Sequence, residues 1–155
     1  MIAAMPIRKL DWEMRLHEFI ESRKGSAFAW GSNDCCLFAA DAVEAMTGVD
    51  LAANFRGKYD SEASCVKMVS ELGYASIEDL IRKELASWQL QPMRPVQAHR
   101  GDLLLTMQEG QPALCVVGLT GKHSIGVGED GLMKVRTYHD GVVAYRVPYV
   151  AGVQP

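Results

Sequence analysis

The spacing of apolar residues changes character once along this chain, near Gly101, and that change limits what the chain can fold into. Upstream, apolar residues recur at helical spacing. Leu10, Trp12, Leu16, Phe19 and Ile20 form one stripe behind Asp11, a candidate cap, which predicts a helix over 11–23. Lys24-Gly25-Ser26 ends it, and Asn33 or Asp34 can cap a second helix over about 35–46, with Gly48 as its stop. A third helix is expected over 61–72, ended by Gly73. A fourth opens at Ser76, with Asp79 three residues on as a variant capping box, and runs to about Trp88. The stretch 89–99, with Pro92 and Pro95, reads as a connection.

Downstream of Gly101 come five short β-prone runs, at 102–106, 113–118, 124–127, 132–137 and 142–147. The turns between them are Glu109-Gly110, Thr120-Gly121, Glu129-Asp130-Gly131 and Asp140-Gly141. Such short links favour an antiparallel meander, because a parallel crossover needs a dozen or more residues. Helices followed by strands predict an α+β domain, with a helical half at about 10–88 and a strand half at about 101–148. The 155 residues suit one domain with a core that needs no disulfide or metal.

A net charge of −3 argues against sequence-independent nucleic-acid binding, which rests on many Lys and Arg contacts to phosphate. No apolar run approaches the ~20 residues of a bilayer span. Met1 to Leu10 lacks the apolar core of a signal peptide, so a chain made in the cytoplasm is expected. Cys35, Cys36, Cys65 and Cys115 follow no metal-ligand spacing. Free thiols, no metal and no cofactor are the expectation.

The stretch from Phe28 to Phe38 carries the chemistry. It places Cys35 at the first turn of the predicted second helix, where unpaired N–H groups and the helix dipole favour a thiolate. Cys35 and Cys36 also suit a small-residue core, since free cysteine is often buried. Asp34 either caps the helix or orients a catalytic group.

Phe28-Ala29-Trp30-Gly31, then Asp34-Cys35, then Gly101-Asp102-Leu103-Leu104-Leu105 follow one another in the order of the NlpC/P60 proteins. The chain resembles that papain-like family, in the short form that phages encode among their tail genes. The resemblance implies a papain-like, NlpC/P60-type α+β fold, with N-terminal helices packed on a five-stranded antiparallel sheet. It puts Cys35 in the nucleophile's place and Cys36 in that of the small residue after it. Phe28, Trp30, Gly31, Cys36 and Ala113 would line the cleft.

The family's histidine belongs at about Pro112 or Ala113, and neither can accept a proton. Phe28 stands where active members have tyrosine. General-base help is worth roughly a hundred- to ten-thousand-fold. His123 is the candidate displaced base and His99 a second one, while His17 and His139 read as surface residues. Arg56-Gly57-Lys58-Tyr59 reads as an exposed basic loop.

Two functions follow from the resemblance. One is a structural or assembly component of the phage tail tip, put together in the host cytoplasm and carried in the virion against other tail-tip proteins. The other is an active cysteine peptidase or amidase acting on peptidoglycan stem peptides. The missing base favours the first, and the thiol at a helix start favours the second.

Overall fold

The structure, a computed structural model, describes residues 4–153. Four helices come first: α1 (Trp12–Arg23), α2 (Cys35–Thr47), α3 (Glu62–Glu71) and α4 (Ile77–Ser87). Three of them start behind a capping side chain, expected for α2 and α4 and supplied by Ser61 for α3. Asp34 accepts from the Leu37 N–H, Ser61 from Ser64 and Ser76 from Asp79, each satisfying a donor the helix itself leaves free. Gly48, at φ +82°, ends α2 in the left-handed conformation. Asp11 precedes α1 but makes no cap bond; its carboxylate instead accepts from Arg15 one turn on, at 2.7 Å.

The sheet has six strands, all antiparallel, in the order β1-β6-β2-β3-β4-β5. They are β1 (Pro92–Met93), β2 (Leu103–Gln108), β3 (Gln111–Val117), β4 (His123–Gly128), β5 (Gly131–Arg136) and β6 (Gly141–Tyr145). Two expectations need correction. The proline-containing connection supplies a sixth strand, with Pro92 opposite Tyr145 and Met93 opposite Ala144. The strands from β2 to β5 form the expected meander, but β6 then crosses to the free side of β2 through the short helix α5 (Thr137–Asp140).

The physical reason for the crossing lies in β2. Leu103, Leu104 and Leu105 are wholly buried, so both edges of that strand need hydrogen-bonded neighbours. The close approach is set at Gly141, where a Cβ would come within 2.5 Å of the Leu104 side chain.

Both faces of the sheet are covered. Leu103, Leu105, Leu114 and Val116 point into the main core with Leu16, Phe38, Val43 and Met46. Leu104, Cys115, Val117 and Ala144 face the other way, into a smaller cluster with Val135 and Ala98. Among the described residues no helix is long and apolar enough to cross a membrane.

An ion cluster ties the segment before α1 and the segment after β6 to the sheet. Arg8, fully buried, donates to Asp102 at 2.7 Å and to the carbonyls of Val147 and Arg100. Asp102 also accepts from Arg146, from the Val147 N–H and from the His99 N–H. Gly101, at φ +84°, leaves room for this: a Cβ there would stand 2.6 Å from Arg8 and 2.7 Å from the Trp12 ring.

Candidate functional site

Cys35 is the first residue of α2, and its neighbours on the chain build the site around it. One oxygen of Asp34 accepts from the Leu37 N–H at 3.0 Å. The other accepts from the Gly31 N–H at 3.0 Å and from the Tyr59 hydroxyl at 2.5 Å. Of the two roles open to Asp34, these bonds describe the cap: every partner is structural and none is an imidazole.

Gly31 sits at φ +80°, and a Cβ there would overlap the carbonyl oxygen of Tyr59. The Trp30-Gly31 segment is therefore the seat on which the loop after α2 docks, with the Gly57 N–H also bonded to the Gly31 carbonyl. Phe28 packs edge-on against Trp30 with ring centroids 5.1 Å apart, and Trp30 against Tyr59 at 6.4 Å.

The Cys35 sulfur lies 4.0 Å from the Cys36 sulfur and 3.9 Å from the Pro112 carbonyl oxygen. The Cys36 thiol and the Leu114 N–H hold the Cys35 thiol below its ordinary range, against burial and the nearby Asp34 charge. Cys36 is pushed well up by the same shared contact and by burial, so Cys35 is the more acidic thiol of the pair. Cys65 and Cys115 are pushed up to about 11 and about 12, chiefly by burial, which makes them poor nucleophiles at neutral pH.

No histidine is brought to this thiol. All four are exposed. His123 heads β4 opposite Arg136, and its carbonyl bonds Gly118 just past the end of β3, whereas Cys35 meets Pro112 near the beginning of β3. His123 is thus at the wrong end of the strand to act as a displaced base. His99 is at the same far end, since it precedes β2, whose Leu103 pairs with Val116. His17 lies on α1, and His139 lies in α5 rather than in a tight turn.

Strand alternation also corrects the placement of Ala113. It is in phase with Cys115 and Val117, on the face turned away from α2, while Pro112 is in phase with Leu114 and Val116 on the α2 face. Pro112 is the residue that lines the cleft. An open groove of about 550 Å³ runs from there between the α3–α4 junction and the β2–β3 hairpin, past Tyr74, Glu78, Met107 and Gln111.

Sequence reasoning missed Tyr59, which it placed in an exposed basic loop. Tyr59 is buried, and Arg56 is engaged by Asp41 and by Asp50, the latter at 2.7 Å. A tyrosine among polar residues carries no local sign of burial. Among the described residues no group of three or more His, Cys, Asp or Glu side chains could hold a metal ion. Chemically, the arrangement offers a thiolate-prone sulfur with a polar backbone contact on each side and no group to take or return a proton.

A family model described as a domain of unknown function, DUF6950, matches residues 7–147. The chain belongs to the DUF6950 family. No curated protein matches it. The DUF6950 match takes in every element of the site, from Trp30 through Cys35 and Tyr59 to Pro112, and the Arg8–Asp102–Arg146 cluster as well.

Proposed function

We propose that this protein is a structural or assembly component of a phage tail tip, built on a degenerate NlpC/P60-like, papain-like cysteine peptidase domain. One observation carries the reading. The Cys35 sulfur faces the Pro112 carbonyl at 3.9 Å, where a working site of that type would present an imidazole. A carbonyl oxygen cannot take the thiol proton, and it cannot deliver one to a leaving amine.

The expected partners are other tail-tip proteins, and the expected location is the virion. The test has two arms. Purified protein incubated with peptidoglycan stem peptides should release no fragments, and phage carrying Cys35→Ala should assemble and infect as wild type does. Fragments released by the wild type and not by Cys35→Ala would overturn the proposal.

The alternative, an active cysteine peptidase or amidase on stem peptides, draws on the lowered Cys35 thiol at a helix start. It requires a base from outside the described residues, such as a neighbouring subunit.

A further inference from the structure

We infer that the face beside the Arg8–Asp102–Arg146 cluster docks a carboxylate-bearing segment of a partner protein. This face lies at the opposite end of β3 from Cys35, and the inference is independent of any role for that thiol.

Charge is the first argument. One carboxylate, Asp102, serves two guanidinium groups, Arg8 and Arg146, so the cluster holds one positive charge more than it cancels. Arg100 adds another at the rim. Its counter-charge is Glu13 at 2.7 Å, but both side chains are nearly half exposed, and such a pair is weak and easily exchanged. This local excess stands against a chain whose net charge is −3. An anion arriving here is attracted by the site while being disfavoured by most of the surface.

Shape and chemistry are the second argument. A concavity of about 290 Å³ opens beside the cluster, lined by Ala98, His99, Arg100, Tyr138 and Tyr149 with the Gly121 backbone. It reaches the cluster through His99, whose N–H bonds Asp102, and Arg100, whose carbonyl bonds Arg8. Guanidinium, imidazole and two phenols are all donors, and a guanidinium matches a carboxylate with two parallel hydrogen bonds. Beside it a second hollow of about 120 Å³ shares Arg100 and Tyr149 and is rimmed by the exposed Leu10, Val150 and Val153.

Arginine and aromatic groups at the centre, with apolar side chains at the margin, form the composition of protein interfaces. Tyr149 is also held in place before binding, because its ring packs edge-on against Trp12 and the Arg8 guanidinium rests on both rings, at 4.1 Å from the Tyr149 centroid and 4.3 Å from that of Trp12. An open, shallow hollow with an apolar margin suits a peptide segment better than a free small ligand, which is normally enclosed.

The test is an amide-resonance titration of the labelled full chain with three probes: a blocked tetraglutamate peptide, its tetraglutamine counterpart and inorganic phosphate. Saturable shifts are expected at Arg100, Gly121, Tyr138 and Tyr149 with tetraglutamate, and none with tetraglutamine. Arg100→Gln should weaken binding about threefold to tenfold, and Tyr138→Phe should weaken it in the same direction. Both positions are substantially exposed, so the variants should keep the wild-type spectrum elsewhere. Absent or scattered shifts, or an affinity unchanged by Arg100→Gln, would overturn the inference. Phosphate binding at the same residues as tightly as the peptide would also overturn it, by making this a free-anion site.

Discussion

The Tyr59 hydroxyl donates to the Asp34 carboxylate at 2.5 Å, tying the loop that follows α2 back to the residue that begins α2. The cap of the helix and the anchor of the loop are one carboxylate, and it is buried. Burial and the Asp34 charge push the Tyr59 phenol far up, so it stays a donor throughout the working pH range. Tyr59→Phe keeps the ring and removes the donor. It should cost about 1.5–3 kcal/mol, the usual range for a hydrogen bond to a charged group, as measured by urea unfolding. A loss under about 0.5 kcal/mol would mean that water replaces the phenol without penalty.

Cys35 and Cys36 should be separable by their alkylation rates. The Cys36 thiol is the leading influence holding Cys35 down, so Cys36→Ala should raise the Cys35 pKa and slow its alkylation at pH 7. The pH–rate profile of Cys35 in that variant should move to higher pH. An unmoved profile would assign the lowered thiol to the helix start and the Leu114 N–H alone.

Positions 112 and 113 should respond differently to histidine. Pro112→His places an imidazole on the α2 face beside Cys35, and its cation should depress the Cys35 pKa and speed alkylation. Ala113→His forces a large polar ring into a buried position on the opposite face. It should cost about 1–3 kcal/mol and leave the Cys35 rate unchanged. If Ala113→His proves to be the faster variant, the strand phase assigned here is wrong.

Asp102→Asn should be far more damaging than loss of a surface ion pair. It leaves the buried Arg8 and its neighbour Arg146 without a counter-charge, at a cost of about 3–5 kcal/mol in chemical denaturation. Glu13→Gln, which breaks the exposed pair with Arg100, should cost less than about 1 kcal/mol.

Cys115 should contribute to loss of stability at high pH. Burial pushes its thiol up to about 12, so the native state keeps a proton that the unfolded chain releases from about pH 8.5 upward. The contribution is fully present below the unfolded value and is lost as pH rises, at about 1.4 kcal/mol per pH unit between the two values. Cys115→Ala removes it. The difference in stability between wild type and variant, followed from pH 8 to 11, should shrink with that slope. A constant difference would mean that the thiol ionises freely in the folded protein.

Much of this architecture is legible in the residues because its signals are short-ranged. A cap reads a donor three residues away, as Asp34 does at Leu37 and Ser76 at Asp79, and a helix stripe repeats within one or two turns. Four helices, five of the strands and the position of Cys35 at a helix start follow from such local rules. Motif order places Cys35 against the start of the strand that follows Gly101-Asp102, at Pro112 or Ala113, and only the strand phase decides for Pro112.

What tertiary structure decided involves partners far apart in the chain. The two-residue strand at Pro92 exists only because β6 lies beside it. Strand β6 crosses to β2 because wholly buried leucines leave a backbone edge that must be paired. The Gly101-Asp102 pair reads as the start of a strand, yet its carboxylate answers Arg8, 94 residues away, and Arg146. Tyr59 looks like a loop residue until Gly31 offers it a seat. A buried charge or edge is costly unless paired, and what pairs it depends on how distant segments meet. No window of neighbouring residues contains that information, whereas caps and periodicity are written within one.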